Sequence, residues 1–330
     1  MRSPLISVLI NNHNYGRFLS KAINSVLNQT YRNIEIVVVD DGSTDNSRSI
    51  IARYGRDVIP ILKQNGGQDS AFNAGFEHSS GDIICFLDAD DCFVPTKLAQ
   101  VAAAFERHPQ AQWCFHSLLL QDTTNSEPLG KTRAFPGTDS DRSTLCDFRQ
   151  HMRRGQLPFY PPSTSGLCLR RHLLNKILPV PETFIPTSAD RYVRIAALGL
   201  APGYYIAQNL TIQGIHGSNV STLNPKHPFL LERQLVSCYL LRVQFPQLAM
   251  YANRMFARGL HAYNGLTPSK QSSKYKPFIR KYQQLCSPIE RFFISLLILY
   301  RRRPWKKEYS FRPVNSETIR TTPVPESVSM

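Results

Sequence analysis

Four apolar runs alternate with amphipathic segments over the first ninety residues. Residues 5–10, 34–39, 58–62 and 83–87 are almost entirely apolar, which is typical of strands that are buried on both faces. The segment at 18–27, after the first run, repeats its apolar residues at helical spacing. This alternation predicts an α/β fold with a doubly wound, mostly parallel sheet flanked by helices.

The pattern changes further along the chain. Residues 122–154 are polar and irregular, which predicts a mobile insertion of the kind that often carries specificity. A helix is predicted at 190–198, and strands at 204–207 and 210–216. From Pro225 the apolar spacing becomes helical, so we expect a helical extension over 225–312. Residues 313–330 have no core pattern and predict a disordered tail.

Charge and cysteine usage narrow the function classes. The formal net charge is +15 and the isoelectric point is near 9.7, which favours anionic partners such as nucleotide phosphates, anionic lipid or nucleic acid. The seven cysteines are scattered without a C-x-x-C motif, which argues against a disulfide framework and a structural zinc site. The first apolar run lacks a small-residue cleavage site after it, so it predicts a strand in a cytoplasmic protein.

An apolar segment near the end of the chain lies beside a basic one. Residues 292–300 are mostly apolar, and Arg301-Arg302-Arg303 and Lys306-Lys307 follow. The segment is shorter than the roughly 20 residues that span a bilayer. Two interpretations remain open: a helix at the inner face of the plasma membrane, in peripheral contact with anionic headgroups, or a helix docked on the core with a solvated basic end.

The strand at 83–87 ends in a cluster of carboxylates: Asp88, Asp90 and Asp91. Side chains alternate along an extended backbone, so Asp88 and Asp90 are expected on the same side of the strand. Like charges this close need compensation, and Mg²⁺ or Mn²⁺ bound to one or two carboxylates and to phosphate oxygens would supply it. The alternative is that the acids cap the following helix, which Pro95 would begin.

Two other strand ends carry polar side chains that would share this edge of the sheet. They are the segment from Asn11 to Asn14, and Asp40 with Asp41. Ligands bind at the carboxyl ends of strands in open α/β sheets, so these residues and Asp88 would offer acceptors to a nucleobase and a ribose. The first turn has no G-x-G-x-x-G, which disfavours a dinucleotide dehydrogenase. A P-loop is absent as well, so a cation would have to hold the phosphates.

Four motifs in order resemble those of the family 2 glycosyltransferases of GT-A fold. They are SVLI at 7–10 running to Asn14-Tyr15, VVVDDGSTD at 37–45, NAG at 73–75 and FLDADD at 86–91. The likeness continues more thinly at Ser165-Gly166, Ala189-Asp190 and IHGSN at 215–219. It implies a GT-A catalytic domain over 1–224, with a nucleotide-sugar half up to about 110 and an acceptor half at 111–224.

The resemblance also implies roles for individual residues. Asn11 and Asp41 would contact the base and ribose, and Asp88 would lie near the ribose or the donor sugar. Asp90 would bind a metal on the diphosphate. His216 lies where many members place a histidine against the diphosphate or metal, although an ordinary loop histidine fits equally.

Asp190 is the candidate general base of the implied reaction. In related sequences a carboxylate at the start of this helix removes the proton of the acceptor hydroxyl, and many have Glu-Asp where this chain has Ala189-Asp190. The alternative is a helix N-cap, for which Ser188 and Asp190 are both suited. One residue can serve both purposes.

The resemblance implies an inverting transferase that moves one sugar from a nucleotide-diphosphate donor to a saccharide or lipid-linked acceptor. Polysaccharide or glycolipid synthesis for the cell envelope is the expected setting. The processive Q-x-x-R-W motif is missing, which favours transfer of a single sugar. A sugar nucleotidyltransferase would need a glycine-rich, basic first loop, which Asn11 to Gly16 does not provide. A basic protein that binds nucleic acid or membrane without catalysis is the third class, and nucleic acid is the less favoured partner.

Overall fold

A computed structural model describes residues 3–131, 142–157, 161–183, 188–217, 219, 229–267 and 271–300. In the described residues the strands are β1 Ile6–Asn12, β2 Ile34–Asp41, β3 Ile59–Lys63, β4 Ile83–Asp88, β5 Cys92–Phe93, β6 Trp113–Asp122, β7 Pro128–Lys131, β8 Thr144–Cys146, β9 Leu167–Arg170 and β10 Gly203–Ile215. The helices are α1 Gly16–Leu27, α2 Ser47–Arg53, α3 Gly67–Glu77, α4 Lys97–Arg107, α5 Arg149–Arg153, α6 Arg171–Leu174, α7 Ala189–Leu200, α8 Phe229–Gln244, α9 Ala249–Asn264, α10 Lys276–Leu285 and α11 Pro288–Tyr300.

The strands form one sheet in the order β3-β2-β1-β4-β9-β6-β10-β5, with β7 added beside β6 and β8 beside β10. Strands β3, β2, β1 and β4 run parallel to one another, and β6 is parallel to β10. Strand β9 is antiparallel to both β4 and β6. The predicted α/β fold with a mostly parallel sheet flanked by helices is therefore confirmed.

The apolar runs of the central strands are continuous because both faces of the sheet are covered. On one face Leu9 and Phe86 pack with α3, α7 and the carboxyl-terminal helices. On the other face Val8, Ile10 and Leu87 pack with α1, α2 and α4. Successive residues of one strand thus belong to different cores, as the alternation of side chains requires.

The structure corrects two details of the prediction. The segment at 122–154 was expected to be irregular, but it contains β7, β8 and α5, and the two strands pair with the main sheet. The strands expected at 204–207 and 210–216 are one strand, β10, whose pairing with β6 is irregular between Ile206 and Thr211. An irregular register interrupts the apolar alternation, which is why the sequence suggests two strands.

Helices α8 to α11 occupy much of the predicted extension, and their buried side chains continue the core beneath the sheet. The boundary expected at 224, residues 301–312 and the tail at 313–330 lie outside the described residues. Among the described helices, none combines the length and the apolar character that crossing a bilayer requires.

Candidate active site

The carboxyl ends of β1, β2 and β4 lie side by side at one edge of the sheet. Asn11 is the register partner of Asp88 between β1 and β4. Asn12 is the register partner of Asp40 between β1 and β2. The structure thus brings together the strand ends from which the sequence predicted a nucleotide site.

Asp40 stabilises the loop that follows β2. Its carboxylate is fully buried and accepts hydrogen bonds from Asn12 Nδ2 at 2.9 Å, from Ser43 N at 3.2 Å and from Arg48 Nε at 2.9 Å. Burial alone would raise the pKa of Asp40, but the hydrogen bonds from Ser43, Arg48 and Asn12 outweigh it and hold that pKa below its usual value. A direct contact between Asp40 and the donor stays a prediction.

Asn14 joins the first loop to the second. Its backbone is in the left-handed region with a φ of 58°, which asparagine tolerates better than most residues. Its Oδ1 accepts the Thr44 N–H at 2.8 Å, and its own N–H donates to Ser43 Oγ at 2.9 Å. Asn14 therefore fixes the shape of the edge, and its predicted role in donor binding stays a prediction.

Asp41 holds the start of α3. One oxygen accepts hydrogen bonds from Lys63 Nζ at 2.7 Å and from Gly66 N at 2.9 Å, and the other accepts one from Gly67 N at 2.7 Å. A carboxylate at a helix N-terminus is stabilised by the exposed N–H groups there. In this structure residues 63–67 donate hydrogen bonds to both oxygens of Asp41, the carboxylate that the resemblance predicts to contact the nucleobase.

Asn11 has the opposite surroundings. Its Oδ1 and Nδ2 are both buried, and neither has a hydrogen-bond partner in the described structure. A buried amide without partners costs about 1–3 kcal/mol, and such groups need an explanation. The side chain fits a ligand that both accepts and donates a hydrogen bond, as the edge of a base or the hydroxyls of a ribose would.

The carboxylate cluster does not follow the predicted alternation. Strand β4 ends at Asp88, and the chain turns there, because the Asp91 N–H donates to the Asp88 carbonyl at 3.0 Å. The argument that places Asp88 and Asp90 on one side of an extended strand is therefore wrong. The turn still keeps the acids together, and Asp91 is buried, with its Oδ1 accepting the Gly214 N–H at 3.0 Å.

Burial and neighbouring negative charges raise the pKa of two of these carboxyls. Burial, followed by the charges of Asp90 and Asp190, raises the pKa of Asp88 to about 7. Burial, followed by the charges of Asp90 and Asp88, raises the pKa of Asp91 well above its usual value. Burial is the largest cause of both shifts, and the negative charges of the neighbouring carboxylates add to it. The arrangement favours a cationic ligand.

Asp90 contacts the end of β10. Its Oδ2 is 3.0 Å from His216 Nε2 and accepts a hydrogen bond from Asn219 Nδ2 at 3.3 Å. The His216 and Asp90 side chains are only 5% and 15% exposed. The two residues that the sequence assigned to a metal are thus adjacent, although they are far apart in the chain.

Aromatic rings fix the orientation of His216. The Phe18 ring stacks on the imidazole with centroids 4.6 Å apart, and the Tyr15 ring lies 5.5 Å from it. Burial, followed by the charges of Asp90 and Asp88, raises the pKa of Tyr15 to about 12. Helical spacing indicated that Phe18 is a core residue, so its contact with His216, which directly follows β10, could be found only in three dimensions.

An open cleft borders this contact. It has a volume of about 490 Å³ and is lined by Arg17, Phe18, Thr123, Thr124, His216 and Gly217. The lining combines a guanidinium with two hydroxyls, which suits a polar ligand. The cleft offers space for substrate beside Asp90 and His216.

Asp190 lies in the first turn of α7, and its charge reaches Asp88. Its Oδ1 accepts the Arg191 N–H at 2.5 Å, and its Oδ2 pairs with Arg194 Nη2 at 2.7 Å. The contact with Arg191 fits the alternative that the carboxylate stabilises the helix N-terminus. The proximity of Asp190 to Asp88 is compatible with the predicted general base. One residue can therefore serve both as the base and at the helix N-terminus.

Arg194 is a partner of Asp190 that the sequence analysis did not identify. It is 5% exposed and also donates to the carbonyls of Pro161 and Pro162, at 2.7 Å each. It therefore ties α7 to the loop before β9 and restrains Asp190. The spacing of Asp190 and Arg194, four residues apart on a predicted helix, was the signal that could have found this pair.

A buried cation lies behind the acids. Lys97 Nζ is fully buried, donates to the Ser165 carbonyl at 2.7 Å and lies 3.3 Å from the centroid of the Phe93 ring. Ser165 in turn accepts the Asp88 N–H on its Oγ at 3.1 Å. Burial lowers the pKa of Lys97. Through Ser165, the buried lysine is linked to the backbone at the end of β4.

The comparisons with known proteins agree with this fold. The structure of residues 1–349 of Staphylococcus aureus TarS, in complex with UDP-GlcNAc, superposes with a TM-score of 0.57 at 17% identity, over 83% of this chain and 78% of that one. At this identity the likeness shows the fold alone. The fold is that of the GT-A glycosyltransferases, as the sequence predicted.

Curated relatives are closer in sequence. An uncharacterized glycosyltransferase of Nostoc sp. (strain PCC 7120) is 37% identical over 218 residues, which are 65% of this chain and 66% of the relative. TuaG of Bacillus subtilis, whose name places it in teichuronic acid biosynthesis, is 34% identical over 133 residues, which are 39% of this chain and 52% of TuaG. The chain thus spans just under two thirds of the first relative's length and about half of the second.

A family model described as "Glycosyl transferase family 2" matches residues 7–177. The matched segment includes Asn11, Asp41, Asp88 and Asp90, and the part of the structure that holds the predicted donor site. Asp190 and His216 lie beyond it in sequence but meet it in space. From the matched residues we conclude that the chain belongs to glycosyl transferase family 2.

Proposed function

We propose that this protein transfers a single sugar from a nucleotide-diphosphate donor to an acceptor hydroxyl with inversion. The convergence of Asp88, Asp90, Asp190 and His216 at the carboxyl edge of the sheet carries this proposal. A nucleotide-sugar donor is further supported by TarS, whose structure was determined with UDP-GlcNAc. The teichuronic acid setting of TuaG supports a role in cell-envelope polysaccharide synthesis.

The side chains of Asp90 and His216 are suitable ligands for a hard divalent cation that the phosphates of the substrate also help to bind. Asp90 Oδ2 and His216 Nε2 are 3.0 Å apart, and no set of three or more His, Cys, Asp or Glu side chains suited to a metal occurs among the described residues. Mg²⁺ is commonly held by one or two carboxylates together with substrate phosphates. We therefore propose that Asp90 and His216 hold Mg²⁺ or Mn²⁺. When bound, the ion would offset the negative charge of the leaving diphosphate.

Each side chain then has a specific task. Asn11 hydrogen-bonds the base or ribose through the amide that lacks an internal partner. Asp190 accepts the proton of the acceptor hydroxyl while Arg194 holds the carboxylate in place. The acceptor oxygen displaces the diphosphate at the anomeric carbon in one step, so the configuration there inverts.

The substitution Asp190→Asn tests the proposed base. General-base catalysis contributes about 10² to 10⁴ in rate, so we expect transfer to fall by that factor while donor binding is retained. The matched control is Asp147→Asn, since Asp147 is an exposed carboxylate that pairs with its own neighbour Arg149. If Asp190→Asn kept most of the transfer rate, Asp190 would have no part in the mechanism.

Product analysis separates this function from that of a sugar nucleotidyltransferase. A glycosyltransferase releases nucleoside diphosphate, and a nucleotidyltransferase releases pyrophosphate. The donor can be identified by thermal unfolding with a panel of nucleotide sugars and Mg²⁺ or Mn²⁺. A ligand at a hundred times its dissociation constant adds about 2.7 kcal/mol to the free energy of unfolding. If no nucleotide sugar stabilised the protein, the proposal would lose its donor.

A further inference from the structure

Helix α11 packs on the core through only one of its faces. Ile294 is 5% exposed, and Leu297 and Ile298 pack against the same core. On the opposite face Ile289 is 81% exposed and Phe292 is 65% exposed. The core contacts already anchor the helix, so folding does not require the outer residues to be apolar.

The outer residues form an apolar stripe along α11. Ile289, Phe292 and Leu299 are separated by three and seven residues, a spacing that places them on one side of a helix. Leu285, at the end of α10, precedes them and is 46% exposed. These three residues and Leu285 account for four of the ten large apolar side chains that are exposed in the described residues. Apolar residues scattered singly on a surface need no explanation, but a cluster indicates an interaction site.

The surface around the stripe is positively charged. Lys276, Arg280 and Lys281 are exposed on α10, and Lys281 lies one helical turn before Leu285. Arg291 Nε donates to the Gln283 carbonyl at 3.0 Å and to the Cys286 carbonyl at 3.1 Å, which holds a cation at the junction of the two helices.

Acidic residues do not balance these cations. In the sequence from 271 to 300 the single acidic residue is Glu290, and its carboxylate pairs with Arg242 at 2.9 Å. The charge of this surface is complementary to an anionic partner.

We propose that α10 and α11 form a docking surface for a bilayer that contains anionic phospholipid. The apolar stripe enters the boundary between headgroups and acyl chains, and the lysines and arginines contact the headgroups. A nucleic acid would satisfy the cations but would leave Ile289 and Leu299 exposed to water. The surface is formed by side chains that the proposed transfer reaction does not use. The membrane proposal can therefore be tested independently of that reaction.

Co-sedimentation of the full chain with vesicles tests this proposal. Vesicles of equal parts phosphatidylcholine and phosphatidylglycerol are compared with vesicles of phosphatidylcholine alone. We expect binding to the anionic vesicles that weakens as salt is added, because salt screens the headgroup charge. The double substitution Ile289→Gln/Phe292→Gln should lower the partition coefficient roughly tenfold or more, since it removes the apolar area that enters the lipid.

Charge variants separate the two contributions. The double substitution Arg280→Gln/Lys281→Gln should lower the partition coefficient about fivefold for each charge removed. The matched control is Leu62→Gln, because Leu62 is 52% exposed but lies on β3, a strand at the far edge of the sheet. This control should bind vesicles like the unsubstituted protein. All variants alter exposed positions, so thermal unfolding should confirm that they fold.

Four results would overturn the proposal. The first is that the full chain fails to sediment with anionic vesicles. The second is that both double variants sediment as well as the unsubstituted protein. The third is that the full chain self-associates without lipid and loses this property with Ile289→Gln/Phe292→Gln, which would make the stripe a contact between copies. A gel shift with nucleic acid that the arginine and lysine substitutions abolish, without vesicle binding, would likewise assign the cations to another partner.

Discussion

Two asparagines with buried amide groups, Asn11 at the sheet edge and Asn253 in α9, have opposite surroundings. The Asn253 amide accepts hydrogen bonds from Arg242 at 3.0 Å and from Tyr282 at 2.8 Å, and donates to Glu290 at 3.0 Å. The Asn11 amide has no partner among the described residues. A polar group that is satisfied internally stabilises the fold, whereas one that is left unsatisfied costs free energy, and the proposed donor contact would account for that cost at Asn11.

The carboxylates of the two regions differ in the same way. Hydrogen bonds from Arg242, Ser287 and Asn253 outweigh burial and hold the pKa of Glu290 at about 2. At the sheet edge, burial and neighbouring acids raise the pKa of Asp88 to about 7. In the helical layer formed by α8 to α11, the Glu290 carboxylate is paired with hydrogen-bond donors. At the sheet edge, several carboxylates lie close together. Substitutions in the helical layer should therefore change stability, and those at the sheet edge should change donor binding or turnover.

The largest effect is expected in the core of the helical layer. Phe256 is fully buried and stacks on Tyr282 with centroids 4.0 Å apart. Phe256→Ala should lower the free energy of unfolding by about 3–5 kcal/mol, because it removes apolar contacts and leaves a cavity. Chemical denaturation measures this change. The control Phe292→Ala, at an exposed position, should stay within about 0.5 kcal/mol. Equal losses in both variants would contradict the packing described for these helices.

The next effect comes from the satisfied asparagine. Asn253→Ala should lower the free energy of unfolding by about 2 kcal/mol, because Arg242 and Tyr282 lose their acceptor and Glu290 loses a donor in a buried site. Donor affinity, measured by calorimetry, should not change. A loss of donor affinity with unchanged stability would reverse the comparison.

The pH dependence of stability should reveal Glu290. Its pKa is lower in the folded protein than in the unfolded chain, so its contribution is present above the unfolded value and is lost as the pH falls towards 2. Because the side chain is partly exposed, we expect about 1 kcal/mol. Unfolding of the unsubstituted protein and of Glu290→Gln should differ at pH 6 and converge in acid. A difference that grew as the pH fell would have the wrong sign.

The smallest effect is expected at Asn11. Asn11→Ala should weaken donor binding roughly fivefold, the equivalent of about one hydrogen bond. The free energy of unfolding should stay the same or rise, since the amide makes no hydrogen bond within the described structure. Calorimetry with the donor and chemical denaturation test the two halves of this prediction. A destabilised variant with normal donor affinity would assign Asn11 to the fold.

The fold was largely predictable because its signal is local. The run from Ile83 to Leu87 is apolar at every position since both faces of β4 are buried, and that pattern is visible in the sequence. The insertion of β9 between β4 and β6 was not predictable, because its short apolar segment does not indicate its neighbours. Pairing between distant strands is decided by the whole chain.

The acidic residues of the site could be predicted from the sequence, but the side chains that orient them could not. Asp88 and Asp90 stand out after an apolar strand, although the turn after Asp88 invalidates the alternation used to orient them. Phe18 has a spacing that indicates only a core helix, yet it stacks on His216. Contacts between residues this far apart in sequence leave no periodic signal, so the side chains that orient the site had to be found in the structure.

The internal engagement of Asp41 has a consequence for measured affinities. A base edge that pairs with both oxygens of this carboxylate would compete with the Lys63 ammonium and the amides of Gly66 and Gly67. Uptake of the donor through Asp41 is then coupled to rearrangement of the start of α3. The observed dissociation constant would be the intrinsic one divided by the fraction of molecules in which this loop has released its anchor.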